Sequence, residues 1–190
     1  MEQEKIIKLA VGCLSSAAVA VMVLAGLAWG MRPFYMPYVK AFMWDGSETF
    51  VCEVNEDISM SNKKADVSDG PAIEVHGNCQ LECTNCELKG ETGIDGAGNG
   101  RIKLEGGSVE ASDTAFNLEG NSQLETKNVD IKAPVAIRVT GNAGAKVRGG
   151  KVEGTKFAVE QQGNGKVDMK KAAVSGAVEA TREANVTTGT

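Results

Sequence analysis

Histidine is almost missing from this chain of 190 residues. His76 is the only one, which excludes a metal site built on several imidazoles. Aromatic residues are scarce as well, nine in all, and six of them (Trp29, Phe34, Tyr35, Tyr38, Phe42 and Trp44) crowd into one short stretch. From residue 45 onward only Phe50, Phe116 and Phe157 remain, so the larger part of the chain has few rings to stack on a base or a sugar face. An excess of positive charge is also absent. Twenty Lys and Arg face 25 Asp and Glu, a net charge of −5. Nucleic acid rewards a concentrated basic surface, and no nucleic-acid partner is expected.

Between Leu9 and Trp29 there is neither a charged residue nor a proline over 21 residues, the length a helix needs to cross roughly 30 Å of hydrocarbon. A cleavable signal peptide has a shorter apolar region, about 7–15 residues. The sequence therefore predicts a cytoplasmic N-terminus over 1–8 and a transmembrane helix over 9–30. With no Asp, Glu or His in it, that helix carries no proton relay. Gly12, Ser16 and Ala20 are four apart, as are Gly26 and Gly30, a spacing of small residues that lets a second helix approach closely.

Residues 31–48 follow as an aromatic collar. Trp29, Phe34, Tyr35, Tyr38, Phe42 and Trp44 alternate with Arg32 and Lys40, the mixture of amphipathic rings and long cations favoured at the headgroup layer. Pro33 and Pro37 are expected to stop the first helix from running on, leaving a short flat helix or a stiff stalk. Residues 1–44 carry Lys5, Lys8, Arg32 and Lys40 against Glu2 and Glu4, a net +2, so the remainder carries −7.

What the rest of the chain has in plenty is a repeat. Gly77-Asn78, Gly98-Asn99, Gly120-Asn121, Gly141-Asn142 and Gly163-Asn164 recur at spacings of 21, 22, 21 and 22 residues, the mark of a solenoid. Five segments begin at Ala72, Gly93, Ala115, Ala136 and Ala158, preceded by a degenerate one around Asn55. Within them short period-2 pairs fall into columns: Ile73/Val75 with Phe116/Leu118 and Ile137/Val139, then Leu81/Cys83 with Ile102/Leu104, then Leu88, Val109, Ile131, Val152 and Val174. Three strands per repeat, each pairing with its equivalent one turn along at about 4.8 Å, make a three-sided parallel β-helix. Glycine supplies the corner conformation that other residues resist, and Asn55, Asn78, Asn99, Asn121, Asn142 and Asn164 are predicted to stack as a buried amide ladder. The chain over 50–178 resembles in architecture the right-handed parallel β-helix superfamily, whose pectate-lyase-like members show such ladders. The expected fold is thus all-β, a three-sided right-handed parallel β-helix of about six turns over 49–178, preceded by one transmembrane helix and closed by a polar tail over 179–190 that blunts the last edge.

Outward positions agree with that register. Glu82, Lys103, Glu125, Lys146 and Asp168 form one column and Lys89, Glu110, Lys132 and Glu153 another, with the sign alternating at each turn so that stacked neighbours attract.

Little chemistry is advertised. Cys79, Cys83 and Cys86 spell CxxxCxxC, a spacing that resembles the iron–sulfur triad of radical SAM enzymes. Here, however, Cys83 takes an inward strand position and no β/α barrel is in prospect. A disulfide from Cys52 to Cys79 or Cys86, stapling the membrane-proximal turns, is the expectation, and no cofactor or metal is expected. Pectate-lyase-like enzymes use clustered Asp with a basic residue on one sheet face. The matching outward column, Glu74, Asp95, Asn117, Arg138 and Glu160, mixes signs, while Asp57, Asp66 and Asp69 lie in the degenerate turn. No catalytic residue is expected, and His76 is expected to be exposed and inert.

These residues point to a non-enzymatic, single-pass scaffold or accessory subunit of a bacterial envelope complex. It would sit in the inner membrane with its β-helix in the periplasm, in contact with lipid and with a transmembrane partner or a second copy through the helix and collar. The contrary expectation is a membrane-tethered module that binds or cleaves carbohydrate.

Overall fold

The structure is a computed structural model describing residues 32–180 and 186–188, with side chains from Pro37 onward. The transmembrane helix read over 9–30, and with it Gly12, Ser16, Ala20, Gly26, Trp29 and Gly30, lies outside the described residues. No helix among the described residues is long and apolar enough to cross a membrane. Helix α1 spans Arg32–Met43 with Pro37 inside it, so the collar is helical through its second proline.

Among the described residues thirteen strands follow: β1 (Phe50–Cys52), β2 (Asp57–Ser61), β3 (Lys64–Asp66), β4 (Pro71–Val75), β5 (Gln80–Gly96), β6 (Arg101–Leu118), β7 (Gln123–Lys127), β8 (Asp130–Gly141), β9 (Gly144–Arg148), β10 (Lys151–Gly163), β11 (Lys166–Met169), β12 (Ala173–Ala180) and β13 (Val186–Thr188). They wind into an all-β parallel solenoid of about six turns. In the first turn the three sides are separate strands. β2, β3 and β4 then pair in succession with the single long β5, which bends round two corners. The inward columns stack in the expected register. Ile73, Ile94, Phe116, Ile137 and Val159 lie one above another on side one, Ile58, Leu81, Ile102 and Leu124 on side two, and Leu88, Val109, Ile131 and Val152 on side three. All are buried, and each such side chain contributes about 1.5–3 kcal/mol on leaving water.

The three corners solve the bend differently. At corner one, between sides one and two, Gly77, Gly98, Gly120 and Gly141 have φ of 64, 81, 71 and 70°, the left-handed region where a Cβ is penalised. The next residue's amide bonds the glycine carbonyl of the turn below, as in Asn99 N to Gly77 O at 2.7 Å and Asn121 N to Gly98 O at 2.7 Å. In the degenerate first turn Val54 precedes the asparagine, and the left-handed step moves to Asn55 itself, φ 63°. Corner two uses a left-handed residue at every turn: Asn62, Asn85, Gly106, Asn128, Gly149 and Lys171 have φ between 52 and 69°. Corner three absorbs the uneven period. One residue separates the aligned positions Gly90 and Thr92, and two separate Ala111 and Thr114. The count returns to one between Ala133 and Val135 and to two between Gly154 and Phe157. That alternation is the source of the 21- and 22-residue spacings.

The first turn is covered. Trp44 packs on Phe50 with ring centroids 5.2 Å apart, Ala41 is buried beside them, and Lys40 Nζ lies 5.4 Å from the Phe50 ring centre. Lys63 Nζ donates to the carbonyls of Phe42 (3.0 Å) and Trp44 (2.8 Å), satisfying acceptors that a helix C-terminus leaves open. At the other end the expected polar tail does not simply blunt the edge. β12 runs on to Ala180, and β13 continues the winding by pairing with β11, Val186 on Val167, because Val186 supplies the apolar residue the column needs there.

Candidate functional site: the stapled base and a half-buried polar column

The amide ladder runs from Asn55 to Asn142. Side-chain bonds link Asn78 to Asn55 (3.2 Å), Asn99 to Asn78 (3.0 Å), Asn121 to Asn99 (3.0 Å) and Asn142 to Asn121 (3.3 Å). Asn164 continues the ladder by its backbone, N to Gly141 O at 2.8 Å. All six asparagines are exposed, which corrects the expectation of a buried ladder. The corner glycine, not the amide, faces the geometric demand, so the asparagine side chain is left outside.

Near the covered base the cysteines pair within two neighbouring turns. Cys52 is bonded to Cys79 and Cys83 to Cys86. Of the two partners weighed for Cys52, the structure joins it to Cys79, while Cys86 closes a short CxxC ring with Cys83 round corner two. Thr84 and Asn85, between them, are exposed.

The residues read as interfacial anchors separate in the structure. Trp44 turns to Phe50 and donates its indole N–H to Glu48 O at 2.8 Å. Tyr38 and Val39 are exposed, as are Phe42 at 84% and Met43 at 74%. Phe34 and Tyr35 lie in α1, but their side chains are outside what is described.

Side one carries the outward column Glu74, Asp95, Asn117, Arg138 and Glu160, stacked in register and half-buried throughout. Asn117 Nδ2 donates to Asp95 Oδ1 (3.0 Å) and to Glu119 Oε1 (3.4 Å). Arg138 Nε donates to Glu160 Oε2 (2.8 Å), and its Nη1 lies 3.8 Å from Asp113. His76 is not bare surface: its Nε2 lies 3.0 Å from Glu74 Oε2. Burial pushes the Asp95 carboxyl above its ordinary range, the Asn117 hydrogen bond opposes this, and the carboxylates of Glu119 and Glu74 add to it. Elsewhere Arg148 beside Asp168, 2.8 Å away, holds that carboxyl below its ordinary range.

The sequence places these five residues in one outward column but gives it no catalytic role, because it mixes acid, amide and cation. Among the described residues no group of three or more His, Cys, Asp or Glu is placed to hold a metal ion. The column offers hydrogen-bond donors and acceptors along a line, with one carboxyl, Asp95, that burial pushes above its own ordinary range. No family model matches the chain, and comparison with curated proteins and with solved structures finds no match.

Proposed function

We propose that this protein is a single-pass, membrane-anchored β-helix that serves as a non-enzymatic scaffold or accessory subunit of a bacterial envelope complex. Its solenoid is placed in the periplasm and wound right-handed, as crossover connections between parallel strands overwhelmingly are. The observation that carries the reading is the pairing of an uncharged stretch, Leu9–Trp29, with a following helix whose Phe42 and Met43 stand almost bare. Rings and thioethers so exposed gain by entering the headgroup layer or a partner's surface. Lipid is one partner. A second transmembrane protein, or another copy, would pack on the small-residue seam Gly12, Ser16, Ala20, Gly26 and Gly30. Protease added to spheroplasts is expected to digest the solenoid while washed membranes keep the N-terminal segment. Protection of residues 50–190 until the inner membrane is lysed, or release of the intact chain by alkaline wash, overturns the assignment.

The half-buried column on side one favours a second reading, a tethered glycan-binding or glycan-cleaving module, since Asp95, Asn117 and Glu119 converge on one another. Calorimetric titration with neutral and acidic oligosaccharides discriminates. Binding that Asn117→Ala abolishes would replace the scaffold with this module.

A further inference from the structure

Corner two is built the same way at every turn. Asn62, Gly106, Asn128, Gly149 and Lys171 make it with the same left-handed step as Asn85, and none of those turns carries a covalent tie there. The place of Cys83 in the stack is filled by Met60, Leu104, Thr126 and Val147 elsewhere. The place of Cys86 is taken by Gly107 one turn along. The Cys83–Cys86 bond is therefore not what shapes the corner, and two thiols fit where a leucine and a glycine fit. By contrast, Cys52–Cys79 joins residues 27 apart on successive turns. Accessibility runs the same way: Cys86, at 4%, is the least buried of the four, whereas Cys52 and Cys79 are at 0%, and Cys86 lies next to two exposed residues, Thr84 and Asn85.

From these facts we propose that Cys83–Cys86 is a thiol–disulfide exchange site, whose partner is a vicinal dithiol carried by a reductant protein or small molecule, and that Cys52–Cys79 is a permanent staple. One partner thiolate attacks Cys86 Sγ, and the electron pair of the S–S bond leaves on Cys83 as thiolate. The partner's second thiolate then attacks its own sulfur in the mixed disulfide and releases Cys86. Two partner thiols become a disulfide, and Cys83 and Cys86 each end as thiols, a two-electron exchange with no further reactant. The CxxC spacing holds both thiols at one corner, so the bond closes again when the flow is reversed.

The test is graded dithiothreitol on the full-length protein in detergent, quenched with iodoacetamide and read by peptide mass. Cys83 and Cys86 are expected to be alkylated at least about tenfold faster than Cys52 and Cys79, with the β circular-dichroism signal unchanged and, in samples not alkylated, the bond re-formed when oxidised dithiothreitol replaces the reduced form. Equal rates, or no opening of either bond before the solenoid unfolds, overturn the proposal. The double variant Cys83→Ala/Cys86→Ala is expected to keep the β signal and a thermal midpoint close to that of the parent. If it fails to fold, Cys83–Cys86 is structural and the proposal is lost.

Discussion

Gly120 and Asn121 share one corner unequally. Gly120 has φ 71°, and a Cβ on it would meet Gly98 O at 3.0 Å, so Gly120→Ala is expected to cost about 1–2 kcal/mol. Asn121 bonds its neighbours on both sides but is exposed, and Asn121→Leu should cost only about 0.5–1 kcal/mol. Thermal denaturation of the two variants tests the order, and a larger loss for Asn121→Leu would restore an interior ladder. Thr126 lies inside the solenoid with no exposed surface, and among the described residues its hydroxyl has no partner. Thr126→Val should therefore raise stability by about 1 kcal/mol. Asp95 makes a pH-dependent contribution. Its carboxyl titrates higher folded than unfolded, so the folded state holds the extra proton between the two values, and stability falls as pH rises through that window. Asp95→Asn removes this slope and stabilises the protein at neutral pH. A neutral-pH midpoint unchanged by the variant would show that burial exerts no such pressure. At this scale the corner-one glycines could be read because the same two letters return each turn. Corner two could not, because Asn62, Gly106 and Lys171 are three different residue types that reach one backbone conformation.

The strands were the most legible elements. A stack in register repeats its chemistry at a fixed period, and the alternating charges show it: Glu82 pairs in register with Lys103, and Lys103 with Glu125. Lys103 Nζ reaches Glu82 at 3.1 Å. Lys103→Glu places three carboxylates in a row and is expected to lower stability by about 1 kcal/mol or less, an effect that shrinks at high salt. Adding Glu82→Lys should recover part of the loss. If the double change is as damaging as the sum of the two single ones, the column carries no coupling. Helix α1 was less legible. The sequence leaves a short helix or a stiff stalk open for residues 31–48, and the structure has a helix that runs through Pro37 to Met43, where Lys63 from the first turn closes its last carbonyls. That contact comes from a residue about twenty positions away, which no local pattern announces. Trp44 shows the same limit, since its ring composition fits a membrane interface and its place is on Phe50.

Taken whole, the solenoid is held unevenly along its axis. The first turns are covered by Trp44 and stapled by Cys52–Cys79, whereas β12 at the far end is largely exposed, Val178 included. Fraying should begin there, and among the described residues hydrogen exchange is expected to be fastest in β12, Ala173–Ala180. Replacing both Cys52 and Cys79 with Ala is expected to cost about 3–4 kcal/mol, the loop entropy of a bond between residues 27 apart, and to move the fastest exchange to the first turn. Exchange that stays confined to the far end would show that Trp44 alone secures the base. Corner three, finally, works as an expansion joint. From β5 to β10 it takes up one residue or two from turn to turn while sides one and two keep their step; only in the last turn, against β12, does side one itself shift. Lengthening the chain at 112–113 or 155–156 should leave both of those faces as a ruler with unaltered graduations. The same residues inserted after Gly98 or Gly120 would break the backbone links between successive Gly-Asn corners.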